Sequence, residues 1–183
     1  KSIISKVLKL HKPRTEGKSE EKAEAKHAKK AVKSTKKATK SKTNVKEGDT
    51  VADVGCGSGI LAICAEKIGA KKIDAVDNDG EAVVTAIENA KINHADINFQ
   101  TATIDVLPDN TYDFVASNIL HNDLRDIMPG IKRIMKIGGK AVLSGILDEK
   151  AEIVYDALVK NNLKILEKTQ EKEWVAFVAE RED

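Results

Sequence analysis

Cysteine is scarce: the 183 residues hold two, Cys56 inside a glycine-rich turn and Cys64 in the segment after it. Thiols so placed make no disulfide framework, and a reducing, cytoplasmic setting is expected. No apolar run approaches the ~20 residues that a membrane helix needs, and no signal-peptide pattern appears. No membrane partner is expected. Aromatic residues are 3% of the chain, and residues 1–46 contain none. Without rings to stack on bases, that stretch offers a nucleic acid phosphate contacts only. The first residue is Lys1 rather than Met, so a processed or truncated N-terminus is expected.

What is plentiful is lysine, and it is concentrated. Residues 1–46 carry fifteen Lys and one Arg against four Glu, a net +12, which leaves −10 for the rest of a chain whose total is +2. A basic arm on an acidic domain suggests an anionic partner such as RNA, or association between the two parts; a solvated tail is the plain alternative. Within it, residues 1–10 place Ile3, Ile4, Val7, Leu8 and Leu10 at helical spacing, and Pro13 and Gly17 break the pattern. Residues 18–43 are Lys, Ala, Glu, Ser and Thr with Val32 as the one large apolar side chain, a composition for a disordered segment or a lone solvated helix. If flexible, that segment spans roughly 28 Å root-mean-square, enough to cross the mouth of an adjacent site. The length allows one domain with a substantial core plus an appendage, divided as 1–46 and 47–183.

The second part is organised around Val51-Ala52-Asp53-Val54-Gly55-Cys56-Gly57-Ser58-Gly59-Ile60-Leu61-Ala62. A short buried strand enters three alternating glycines, and a helix follows to a stop at Gly69. Glycines permit φ > 0 and close backbone approach, and a helix N-terminus beside them presents N–H groups and a positive dipole end. Together these build a cofactor cradle. A dinucleotide fingerprint would need glycine at position 60, where Ile60 stands. The pattern D-x-G-x-G-x-G, with Asp53 two residues before Gly55, suits instead S-adenosyl-L-methionine, a sulfonium with a zwitterionic tail and no pyrophosphate. A second strand, Lys72–Asp77, ends 22 residues after Gly55 in a carboxylate placed to accept ribose hydroxyls. A glycine turn with a helix-capping Asp explains either feature alone but not their coincidence.

From residue 50 strands and helices alternate: a helix at about 79–93, a strand at Ile97–Thr101, and a turn at Pro108-Asp109-Asn110. A strand at Tyr112–Ser117 ends at Asn118, and a helix at about 121–136 is stopped by Gly138-Gly139. A strand at Lys140–Ile146, a helix at about 148–161 and strands at about 163–170 and 173–180 complete the chain. The closing pair is too tightly joined for another helix and reads as an antiparallel hairpin. The expected fold is α/β: a doubly wound, Rossmann-like, seven-stranded methyltransferase sheet, all parallel except its last strand, preceded by the basic arm.

VADVGCGSGILAICAEKIGAKKIDAVDND, YDFVASNIL, GGKAVLSGIL and EKEWVAFV, in this order and spacing, resemble the ribosomal protein L11 methyltransferases over about residues 48–181. The first block says only methyltransferase; Asn118-Ile119-Leu120 with Ser144-Gly145-Ile146-Leu147 is more specific. The resemblance implies a cytoplasmic enzyme that places methyl groups from S-adenosyl-L-methionine on lysine and N-terminal amines of a ribosomal protein. It implies a methionyl cradle at Asp53, Gly55, Cys56, Gly57 and Gly59, with ribose and adenosine contacts at Asp77 and Asn78. It also implies an adenine wall at Ala102, Thr103 and Ile104, and an acceptor-facing Asn118. Thr103 stands where that family often has an acid, and His121 where it commonly has a small residue. Residues 1–47 match neither its substrate-recognition domain nor its glycine–threonine–histidine segment. Methylation of RNA or a small molecule, or cofactor binding without turnover, are the alternatives to protein methylation.

Methyl transfer from a sulfonium needs no metal and no nucleophilic side chain; positioning supplies most of the rate. The acceptor must show a lone pair, and at pH 7.4 neutralising a lysine of pKa about 10.4 costs about 4 kcal/mol, which desolvation lowers. Asn118 is therefore expected to orient the amine rather than act as a base. Simple capping of the next helix is the alternative. His121 is read as sitting in the first turn of a helix, with substrate contact or a proton relay as the alternative; His94 is read as structural or solvated, and Trp174 as packing against a helix.

Overall fold

The computed structural model describes residues 45–183. The expectations for the amphipathic stretch at 1–10 and the lysine-rich stretch at 18–43 lie outside the described residues. Strands and helices then alternate as the periodicity predicts. They are β1 (Thr50–Val54), α1 (Ile60–Ile68), β2 (Lys72–Asp77), α2 (Gly80–Ile92) and β3 (Asn98–Thr101), followed by a 3-10 turn at Ile104–Val106. Next come β4 (Tyr112–Asn118), α3 (His121–Ile134) and β5 (Met135–Leu147). A second 3-10 turn at Asp148–Lys150 leads into α4 (Ala151–Lys160), β6 (Leu163–Glu171) and β7 (Trp174–Arg181).

The seven strands make one sheet in the order β3-β2-β1-β4-β5-β7-β6. β1 pairs in parallel with β2 and β4, β2 with β3, and β4 with β5. β7 alone runs antiparallel, to both β5 and β6. This is the expected doubly wound sheet. The position of β7, inserted between β5 and β6, is a finding of the tertiary structure.

Both faces of the sheet are covered, as the continuous apolar strands require. β7 shows it residue by residue: Val175, Phe177 and Ala179 enter one core, while Ala176 and Val178 enter the other. The first core lies under α3 and α4, where Leu124, Met128, Ile131, Ile134, Val154 and Leu158 are fully buried. The second includes Ala62 and Ala65 of α1 and Ala86 of α2.

One boundary differs from expectation. α3 ends at Ile134 and β5 starts at Met135, so Gly138-Gly139 lie inside β5 rather than closing the helix. Ile134 and Met135 are fully buried, and Met135 pairs with Tyr112, so tertiary burial ends the helix early. The glycines then serve a bulge. Gly138 has φ +77°, and a side chain on Gly139 would start 2.8 Å from the Lys136 carbonyl oxygen. β1 is flanked by β2 on one side and β4 on the other, so the winding direction reverses between β1 and β4. A crevice opens there, at the carboxyl ends of the strands.

Candidate active site

The loop after β1 turns through Gly55, Gly57 and Gly59 at φ +73°, +52° and +78°, a left-handed run that other residues resist. Its hydrogen bonds tie it to β2: the Gly55 and Cys56 N–H groups donate to the Val76 carbonyl at 2.9 and 3.1 Å. The Asn89 side chain, on α2, donates to the Ser58 carbonyl at 3.0 Å. The three glycines do different work. A side chain on Gly55 would meet Ile119 Cγ2 at 2.3 Å, and one on Gly59 would meet Ala86 and the Phe99 ring at 3.0–3.2 Å. A side chain on Gly57 would project into open space. Gly55 and Gly59 are packing glycines; Gly57 leaves room for something outside the chain.

Two carboxylates flank this bend. Asp53, on β1, is fully buried; its Oδ2 accepts the Ala62 N–H at 2.9 Å, and its Oδ1 has no partner among the described residues. Burial pushes the Asp53 carboxyl up to about 7; the Ala62 hydrogen bond pulls it down and the nearby Asp77 charge adds to the rise. A buried polar atom left unsatisfied in this way is rare and costly. Asp77, at the end of β2, accepts the Gly57 N–H at 2.8 Å through Oδ2 and the Asp79 N–H at 3.0 Å through Oδ1. A carboxylate has about four acceptor sites, so two remain for hydroxyls from solution. Cys56 is buried between the glycines, and burial, with Asp53 and Asp77 nearby, pushes its thiol far above the ordinary range. It is a small filler rather than a nucleophile.

Asn118 ends β4, on the other side of the crevice. Its Oδ1 accepts the Ser144 hydroxyl at 3.1 Å. Behind it, Gly145 is at φ +83°, where a side chain would start 2.6 Å from the Ile119 carbonyl and 2.9 Å from Asn118 Oδ1. Ser117 donates to the Val54 carbonyl at 2.8 Å, locking the end of β4 to the end of β1. Ser144, Gly145, Ile119 and Ser117 hold the site, and residue type alone assigns them no such role. The one sequence signal is a serine–glycine pair near the end of a central strand.

The remaining expected residues are more dispersed. Asn78 is exposed beside Asp77. Thr103 is exposed and donates to Asp105 Oδ2 at 2.9 Å. The Ile104 side chain is buried in the core, 3.0 Å from where a side chain on Gly130 would start, so only its backbone is left to line a crevice. The Ala102 N–H donates to the Asp77 carbonyl at 2.9 Å, which brings this loop to the end of β2. His121 opens α3, half-buried.

A doubly wound sheet whose inserted last strand is antiparallel, with a glycine bend between two carboxylates at its switch point, defines the methyltransferase class of α/β fold. The family model described as Ribosomal protein L11 methyltransferase (PrmA) matches residues 32–182. The chain belongs to that family. The match starts within the basic arm, earlier than residue 48, where the block resemblance begins; the arm's last third follows the family pattern despite its unusual composition. The ribosomal protein L11 methyltransferase of Dictyoglomus thermophilum is 40% identical over 139 residues, 76% of this chain and 46% of that protein. That of Thermotoga maritima is 39% identical over 137 residues, 75% of this chain and 52% of that protein. The chain thus spans about half the length of the curated relatives it matches. A solved ribosomal protein L11 methylase from Lactobacillus delbrueckii subsp. bulgaricus superposes with a TM-score of 0.71 at 31% identity, over 87% of this chain and 80% of that one.

Proposed function

We propose that residues 47–183 bind S-adenosyl-L-methionine at the glycine bend and direct its methyl group to an amine, a lysine side chain or an N-terminus, of a ribosomal protein. The observation that carries this reading is Asp53 Oδ1, fully buried with no partner among the described residues, at the strand end that leads into a glycine bend with open space at Gly57. A cationic donor is the group that such an oxygen lacks, and the methionyl ammonium is one. Asp77 would accept the ribose hydroxyls with its free lone pairs. The open space over Gly57 admits the methionyl stem, and Asn78 and the 102–104 backbone lie toward the base. When bound, the cofactor supplies an electrophilic methyl group on a sulfonium.

The rest is positioning by the chain. Asn118 Oδ1, steadied by Ser144, accepts an N–H of the neutral acceptor amine. A neighbouring backbone carbonyl takes a second, so the lone pair has one remaining direction. Such orientation is worth several kcal/mol of barrier without a catalytic base. The family membership, and relatives that are ribosomal protein L11 methyltransferases, support the same choice of acceptor.

Calorimetry with S-adenosyl-L-methionine and its demethylated product tests the cofactor; a dissociation constant weaker than about 1 mM, or −4.1 kcal/mol, overturns the reading. Incubation of the chain with methyl-labelled cofactor and ribosomal proteins tests the acceptor. Asn118→Ala is expected to lower turnover about 100-fold or more while leaving cofactor affinity within a few-fold; unchanged turnover would remove its assigned role.

A further inference from the structure

The carboxyl edge of the sheet is acidic beyond what the cofactor site uses. Asp79, Asp105, Asp123, Asp148, Glu149 and Glu173 are all exposed on the loops and helix starts that follow the strands or join β6 to β7. The Asp148 N–H donates to the Glu173 carbonyl at 2.8 Å, joining two of these loops. The loops after β1, β2 and β3, residues 55–59, 78–79 and 102–111, carry no Lys or Arg; Arg125, on α3 near Asp123, is paired with Asp126. Lys150, beside Glu149, and Lys172 are the basic residues nearest the ends of β5 and β6 and the start of β7.

The described chain begins at a small apolar pocket whose lining extends to Ser144, next to Asn118. Val45 is buried and lines an apolar cleft between α1 and the sheet, together with Val51 and Phe114 near the amino edge and Ser144 near the carboxyl edge. Ser144 is the residue that holds Asn118. From Phe114 to Asn118 is four steps of β4, about 13 Å at 3.3 Å per residue. Lys37 stands eight residues before Val45, a span of up to about 26 Å when extended. Every lysine before it has a longer tether.

We propose that the lysines between Lys26 and Lys37 seat on this acidic edge and are methyl acceptors of the chain's own site. The proposal rests on the reading above that the site transfers methyl groups to amines. There are six of them, Lys26, Lys29, Lys30, Lys33, Lys36 and Lys37, on an arm of net +12 joined in sequence to a domain of net −10. Tethering replaces a bimolecular encounter with an effective concentration in the millimolar range for short flexible linkers. The negative edge favours the protonated arm on approach, and the desolvated crevice then favours the neutral amine. In the transfer the neutral lysine nitrogen forms a bond to the methyl carbon and the carbon–sulfur bond of the sulfonium breaks. The electron pair stays on sulfur, and the nitrogen's proton leaves to water. The products are N-methyl-lysine and S-adenosylhomocysteine.

The test uses the full chain with methyl-labelled S-adenosyl-L-methionine and peptide mapping by mass spectrometry. Methyl groups are expected on Lys26 to Lys37 and not on Lys46, Lys91 or Lys132. The labelled fraction per chain should stay constant on dilution, as transfer in cis requires. A second readout needs no cofactor: zero-length carbodiimide coupling should join these lysines to Asp105, Asp123, Asp148 or Glu173 in preference to Glu88 of α2 and Asp156 of α4. The double change Asp148→Asn and Glu173→Gln should lower both arm labelling and coupling several-fold. It should leave methylation of an added neutral single-lysine peptide unchanged. If the added peptide or a ribosomal protein is methylated while the arm is not, the proposal is overturned and the proposed function stands. If none is methylated although the cofactor binds, the proposed function falls and takes the proposal with it.

Discussion

Asp53→Asn should make the protein more stable and a worse binder at once. The native carboxyl titrates at about 7 against an ordinary 3.8, so ionising it in the fold above pH 7 costs about 4 kcal/mol, three pKa units at about 1.36 each. The sign follows from the raised value. Asp53 favours the fold below pH 3.8, loses that contribution as pH rises through 7, and disfavours the fold uniformly above it. Asparagine keeps an oxygen for the Ala62 N–H and removes the repulsion from Asp77. It introduces an amide donor at the unpartnered position, worth about 1–3 kcal/mol in the other direction. The balance at pH 8 is a gain of about 1–3 kcal/mol, shrinking as pH falls toward 5. Cofactor binding moves oppositely. Loss of a charged partner for the methionyl ammonium should weaken affinity about 10- to 100-fold, from about 1.5–3 kcal/mol for a hydrogen bond to a charged group. In the native chain only about one site in ten is ionised at pH 6, so the dissociation constant should be about tenfold higher there than at pH 8. Calorimetry at pH 6, 7 and 8 on both proteins, with urea melts at pH 5 and 8, reads both effects. A native dissociation constant with the same pH dependence as the variant's, or a variant less stable at pH 8, would refute the reasoning.

The glycines of the bend should separate in the same way. Gly59→Ala meets Phe99 and Ala86 at φ +78°, so urea melts should show a loss of about 2–4 kcal/mol. Gly57→Ala has space but φ +52°, so it should lose about 1–2 kcal/mol of stability while calorimetry shows weakened cofactor binding. Ser144→Ala frees the Asn118 carboxamide and should lower turnover several-fold with cofactor affinity unchanged, in steady-state kinetics. Phe177→Ala, in the middle of the inserted strand and 1% exposed, should cost about 3–5 kcal/mol in the same melts and leave cofactor contacts untouched.

Much of this protein follows from local sequence. Alternation of strand and helix, the glycine bend, and the acids two residues before it and at the end of β2 are short-range patterns. Each is set by backbone sterics or by a period of two or 3.6 residues. Asp53, Gly55, Gly57, Gly59 and Asp77 accordingly fall together at the bend as their spacing implies. The end of α3 did not follow from its glycines, because burial of Ile134 and Met135 against distant strands outweighed the local stop signal. Ser144 became a partner of Asn118 only through the β4–β5 register, and Ile104 turned inward because α3 packs beside it. Insertion of β7 between β5 and β6, and the lack of a partner for Asp53 Oδ1 among the described residues, likewise depend on which segments meet in space. Periodicity and turn chemistry act over a few residues, whereas pairing, burial and unmatched charge are decided between residues dozens of positions apart.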